Sequence, residues 1–101
     1  MSNEVYQTET FTKLYESLSE REKLWIDKMI LQLKSNSSAG KPLKFEWFRE
    51  KKFEDKRLYY LTYKNSSKVL LVAFGKKKEQ QKIINHILSN LNFYNKLVGE
   101  V

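Results

Sequence analysis

Arg57, Tyr59, Leu61 and Tyr63 fall on alternate positions of the segment Lys56 to Lys64. In an extended strand they share one face, with Leu58, Tyr60 and Thr62 on the other. A planar guanidinium can hold two phosphate oxygens at once, and phenol rings offer flat surfaces to unpaired bases. Lys76, Lys77 and Lys78 follow directly after an apolar run, Lys68 to Gly75. Rings beside fixed cations suit single-stranded nucleic acid. A plainer reading packs the tyrosines under a helix and leaves the lysines solvated, and both readings stand at this stage.

Other chemistries lack their residues. The chain has no cysteine, which removes disulfides and thiolate nucleophiles, and its one histidine, His86, reads as a surface or capping residue. No carboxylates cluster for zinc. Gly75-Lys76 looks like the end of a phosphate loop, but the first glycine and the following Ser/Thr are missing. Three glycines make no dinucleotide fingerprint, and no local Ser-His-Asp signature is present. Catalysis would run on Arg, Lys, Tyr and carboxylates, and no metal or cofactor is expected.

The 101 residues suit one domain, 1–101, with 41% apolar residues. No run approaches the roughly 18 apolar residues of a membrane span, and the polar start is unlike a signal peptide, so cytoplasm is the expected location and no membrane a partner. The net charge of +7 is unevenly placed. Residues 34–82 hold 14 Lys/Arg and 5 Asp/Glu, a net of +9, while the remainder holds 5 and 7, a net of −2. A basic middle between acidic ends favours a polyanionic partner.

The elements that must position these residues follow from pattern. Glu4 to Glu9 alternates weakly and reads as a short strand. Thr10 has the look of an N-cap for a helix with Phe11, Leu14, Tyr15 and Leu18 on one face. Ser19 and Glu22 make a capping box that opens a second helix to about Lys34, with Trp25, Ile26, Met29, Ile30 and Leu33 inward. Asn36 to Gly40 is a loop, and Pro42 keeps helix from resuming. Leu43 to Phe53 interleaves aromatics with charges and reads as a strand, with Trp47, Arg49 and Lys51 on one face and Phe48, Glu50 and Lys52 on the other. Lys56–Lys64 and Lys68–Gly75 form a hairpin about Asn65-Ser66-Ser67. The second of these strands is apolar on both faces and belongs inside a sheet. Ile83, Ile84, Ile87, Leu88 and Leu91 make the stripe of one last helix, extended by Phe93 and Tyr94. The order is β-α-α-β-β-β-α: an α+β fold, a small twisted, mainly antiparallel sheet with an N-terminal helical hairpin on one face and a C-terminal helix.

This order, with Phe48-Arg49-Glu50-Lys51-Lys52, Lys56-Arg57-Leu58-Tyr59-Tyr60 and VLLVAFGKKK, resembles the RelE/ParE toxin superfamily over residues 5 to 90. The resemblance implies the toxin of a toxin–antitoxin system, the alternatives being a ParE-like toxin that cuts nothing or a non-toxic, degenerate nucleic-acid-binding domain of the same fold. RelE members bind the ribosomal A site and cut messenger RNA there; ParE members share the fold and inhibit DNA gyrase; a cognate antitoxin holds both inactive. The partners implied are therefore an antitoxin, the ribosome and messenger RNA, and the activity an endoribonuclease that needs no metal. By the same resemblance Arg57 stabilises the scissile phosphate, Lys77 is the second basic residue, and Lys51 or Lys52 supplies a third, the register leaving open which one. Arg49, Tyr59, Tyr63, Lys76 and Lys78 complete the expected RNA-binding surface. One position departs: RelE opens its last helix with a tyrosine where this chain has Ile83, leaving Tyr59, Tyr63 or Tyr94 as candidates to replace it. Arg57 and Lys77 are expected to converge on an open concave surface, not under a helix.

Overall fold

The computed structural model describes residues 2–101. Strand β1 (Glu4–Gln7) leads into helix α1 (Glu9–Glu16). The N-cap is Thr8, not Thr10: the Thr8 amide still bonds to Leu71 O at 3.2 Å while its hydroxyl accepts from the Phe11 amide at 3.0 Å. The helix therefore starts as soon as the strand pairing ends. Helix α2 (Glu20–Ser35) opens on the expected capping box, with Ser19 and Glu22 exchanging side-chain-to-backbone bonds of 3.2 Å.

A two-residue strand β2 (Lys41–Pro42) pairs antiparallel with β3 (Phe48–Phe53). The strand expected from Leu43 begins only at Phe48. The intervening residues turn back on themselves, closed by Leu43 N–H to Phe48 O and Phe48 N–H to Phe45 O. Trp47 lies in that turn and does not share a strand face with Arg49. β4 (Lys56–Tyr63) and β5 (Lys68–Lys76) form the central hairpin. The sheet order is β1-β5-β4-β3-β2, with β1 parallel to β5 and every other pair antiparallel. The doubly apolar β5 is an inner strand along Lys68–Leu71, where β1 flanks it. A bulge opposite Tyr59/Tyr60 sets Tyr59 against Ala73 and Tyr60 against Leu71, leaving Val72 as the extra residue.

The sheet is covered on both faces. Phe11, Ile26, Met29 and Leu33 of the helical hairpin pack on Leu58, Tyr60, Val69, Leu71 and Phe74. On the other face, α3 (Gln80–Ser89) and α4 (Leu91–Gly99) place Ile87, Tyr94 and Val98 over Phe48, Tyr59, Leu61, Leu70 and Val72. The single last helix is thus two helices. Asn90 leaves helical geometry (φ −117°, ψ 18°), its side-chain amide donates to His86 O at 2.7 Å, and its carbonyl starts α4 by accepting from Tyr94 N–H. His86 is exposed on the last turn of α3. Among the described residues no helix is long and apolar enough to cross a membrane.

Candidate nucleic-acid interface

One end of the second face escapes α3 and α4. The register puts Lys52 opposite Arg57 and Arg57 opposite Gly75, with Glu50, Tyr59 and Ala73 forming the next row. A 3-10 turn, Lys77–Glu79, then carries the chain from β5 into α3. It is pinned by Lys77 N–H donating to Asp55 O at 2.7 Å. Four elements therefore meet here: β3 with Glu50 and Lys52, β4 with Arg57, the turn with Lys77 and Lys78, and α3 with its first residue, Gln80.

Arg57 is not on an open surface. Its side chain is only 11% exposed, and its Nε lies 3.7 Å from a Glu50 carboxylate oxygen that is equally enclosed. Its Nη1 donates to the carbonyls of Glu54 and Lys56 at 3.2 and 3.0 Å. Nη2 has no hydrogen bond among the described residues. Lys77 is joined to this pair indirectly. Its ammonium donates to Gln80 Oε1 at 2.7 Å, and Gln80 Nε2 donates to the other Glu50 oxygen at 2.5 Å. Arg57, Glu50, Gln80 and Lys77 thus form one connected chain, and exposed Lys52, Lys76 and Lys78 lie next to its members in sequence or across the sheet.

Two residues of this chain, Glu50 and Gln80, are not among those the sequence singled out. Glu50 was legible as a face-mate of Lys52. Nothing local marked its carboxylate as Arg57's partner, since that pairing depends on the β3–β4 register. Gln80 has no sequence signal beyond being the polar residue that opens a helix after three lysines.

Other expected positions are spent elsewhere. Lys52, not Lys51, shares the Arg57 face; Lys51 points to the hairpin side, its ammonium 3.4 Å from Ala39 O. Arg49 is buried and structural. Its guanidinium donates to Gly40 O at 2.8 and 3.2 Å and to the carbonyl and carboxylate of Glu46 at 3.0 and 2.8 Å, clamping the loop before β3. Tyr59 has no exposed surface and lies beneath the C-terminal helices, unable to stack on a base in this conformation. Tyr63 is half-buried, donating from its hydroxyl to Asn95 Oδ1 at 2.9 Å. The tyrosines are in this respect the plainer case: they pack under helices.

Burial disfavours all three candidates to replace the absent tyrosine as a base. Burial pushes the Tyr59 and Tyr94 phenols up and Tyr63 to about 12, so all three keep their protons near neutrality. Ile83 itself packs down on the sheet: a Cβ added to Gly75 would lie 2.8 Å from Ile83 Cδ1. That contact seats the start of α3 close to β5 and so brings Gln80 within reach of Glu50.

No protein-family model matches the chain, and no curated protein does. Solved structures do match. The free form of an arginine-to-alanine double variant of E. coli toxin RelE superposes with a TM-score of 0.75 at 16% identity, covering 89% of this chain and 98% of that one. The same variant in complex with an antitoxin RelB peptide gives 0.67 at 16%, covering 81% and 94%. A RelBE toxin–antitoxin complex from Mycobacterium tuberculosis gives 0.66 at 18%, covering 76% and 100%. At such identities the likeness is one of architecture, and on it the chain has the α+β fold of the RelE toxins.

Proposed function

We propose that the protein is the toxin of a toxin–antitoxin pair that stops translation by cutting messenger RNA on the ribosome, without a metal, in the cytoplasm. The observation that carries this reading is the Arg57 guanidinium, held on three sides by Glu50, Glu54 O and Lys56 O with Nη2 uncommitted, in a cationic rim of Lys52, Lys76, Lys77 and Lys78 on a RelE fold. In the proposed step the 2′-oxygen bonds to the adjacent phosphorus and the bond from phosphorus to the 5′-oxygen breaks. The 2′-hydroxyl proton passes to solvent water, the departing 5′-oxygen takes a proton from solvent, and a 2′,3′-cyclic phosphate and a 5′-hydroxyl result. Arg57 and Lys77 stabilise the charge that builds on the pentacoordinate phosphate. The antitoxin partner comes from the structural neighbours, which are toxins solved with theirs. It would cover the basic rim with an acidic or amphipathic segment, in the groove beside the sheet or in place of the last helix.

A second reading, a ParE-like inhibitor that binds and cuts nothing, is favoured by Ile83 on Gly75 and by the burial of Tyr59 and Tyr94, two of the three tyrosines considered as a base. Inducible expression separates the two. Immediate translation arrest with cut messenger RNA, lost in Arg57→Ala and partly restored in Arg57→Lys, is expected. A supercoiling defect with translation at first intact would replace the first reading by the second. No growth effect, with or without Arg57, would remove both.

A further inference from the structure

Gln80 is the one neutral member of the chain linking Arg57 to Lys77, and its amide is matched at both ends. The NH2 group faces a carboxylate and the oxygen faces an ammonium. Turning the amide over would set oxygen against Glu50 and N–H against Lys77, two repulsive contacts, so one orientation is enforced. Gln80 is half-buried and Glu50 nearly closed off, which strengthens bonds to charged groups relative to exposed ones. Its backbone is seated by Ile83 on Gly75, one turn further along α3.

We propose that Gln80 is a positioning residue of this anion site: its amide holds Glu50 against Arg57 at one end and Lys77 beside them at the other, fixing the two cations relative to each other before RNA arrives. A lysine otherwise has a flexible four-carbon stem and an entropic cost to being localised. The amide removes part of that cost in advance, which is what preorganisation means at a transition state. The inference rests on the nucleic-acid reading above, and its test keeps the two apart.

The test is a double-mutant cycle between Lys77 and Gln80, using Gln80→Met, which keeps length and apolar volume but cannot bridge two charges. Binding to a short labelled single-stranded RNA and ribosome-dependent cleavage are both followed. Lys77→Ala and Gln80→Met are each expected to lower cleavage at saturating RNA about tenfold, because hydrogen bonds to charged groups are worth about that much. The double variant should lose clearly less than the product of the two, since the Gln80–Lys77 bond is lost in both while the Gln80–Glu50 bond is lost only with Gln80. Gln80→Met removes no charge, so the salt dependence of RNA binding keeps its slope, whereas Lys77→Ala flattens it by about one contact. Wild-type rates in Gln80→Met, or losses that multiply in the double variant, overturn the proposal. An independent readout is the Gln80 side-chain amide signal by NMR. Glu50→Gln and Lys77→Ala must each shift it, and a signal indifferent to either sinks the positioning role. If the wild-type protein neither binds nor cuts RNA, the function reading fails, and the amide signal alone then decides whether the positioning contact exists.

Discussion

Arg49 and Arg57 are two nearly buried arginines on neighbouring strands, on opposite faces of one sheet, and they do different things. Arg49 spends its nitrogens on Gly40 O, Ser38 O and Glu46, all within the loop that precedes its own strand. Arg57 is held by a loose ion pair and two carbonyls, with Nη2 unused among the described residues. Tyr59 and Tyr60 repeat the contrast. Both are fully buried. Tyr60 accepts from Gly40 N–H at 2.8 Å and donates to Ser37 O at 3.1 Å, whereas the Tyr59 hydroxyl lies near the Gln80 amide but makes no hydrogen bond of good geometry among the described residues. Among those residues each face keeps one buried hydroxyl without a hydrogen bond, Thr62 on the hairpin side and Tyr59 on the other. The arginines differ in that only the one opposite the hairpin has an unspent donor. Burial alone therefore does not separate an arginine consumed by the fold from one that keeps a donor free. The account of its donors does.

The largest effect should come from breaking the unspent side. Arg57→Ala is expected to lower RNA cleavage by about 10²- to 10³-fold, the usual loss for one transition-state donor. It also leaves the Glu50 carboxylate enclosed without its cation, so Arg57→Gln combined with Glu50→Gln supplies a version with no uncompensated charge. Equal loss in both, with cooperative unfolding retained, supports a catalytic Arg57. Full activity in either contradicts it.

Arg49→Ala should act the other way round, on stability before activity. It strips the buried Gly40 carbonyl of two donors, and a loss of about 2 to 3 kcal/mol in urea unfolding is expected. An Arg49 variant of normal stability that has lost only RNA binding would return this residue to the interface.

The tyrosine pair offers a smaller and cleaner contrast. Tyr60→Phe leaves the Gly40 N–H without its acceptor and should cost about 1 to 3 kcal/mol, whereas Tyr59→Phe removes an unpartnered hydroxyl and should be neutral or slightly stabilising. Equal costs at the two positions would mean that the Tyr59 hydroxyl has a partner after all.

One group on each face should shape an opposite limb of the pH profile, although Tyr60 on the hairpin side is also pushed up by burial. The Glu22 carboxyl is held below its ordinary value of 4.5, first by the Lys56 ammonium that donates to it and also by the Ser19 amide. The stability it supplies is complete above 4.5 and is lost as the pH falls through the lower folded value. Tyr63, on the other face, is pushed by burial from 10.0 to about 12. Its contribution is complete below 10 and is lost as the pH rises toward 12, because the unfolded chain ionises first. Glu22→Gln should blunt the acid limb of a stability–pH profile and Tyr63→Phe the alkaline limb. A single limb governed by both would show the faces to be coupled.

Local pattern determined much of this protein. The capping box at Ser19, the stripe of α2, the alternation of β4 and the doubly apolar β5 each depend on residues a few positions apart, and each forms as the sequence alone dictates. The basic character of residues 34–82 is likewise a property of composition. Tertiary structure decided which cations are available and which rings are covered. Arg49 is consumed by the loop at Ser38–Glu46, whose path no short-range rule sets. Lys52 rather than Lys51 faces the site because β3 pairs Lys52 with Arg57. Tyr63 is covered because the last helix breaks at Asn90 and folds back as α4, whose Asn95 accepts from its hydroxyl, and Tyr59 lies in the cluster beneath α3 and α4. Glu50 and Gln80 enter the site only when β3, β4 and the start of α3 are brought together. Hydrogen-bond donors are shared among whatever groups the chain brings near, so their final accounts are settled in three dimensions.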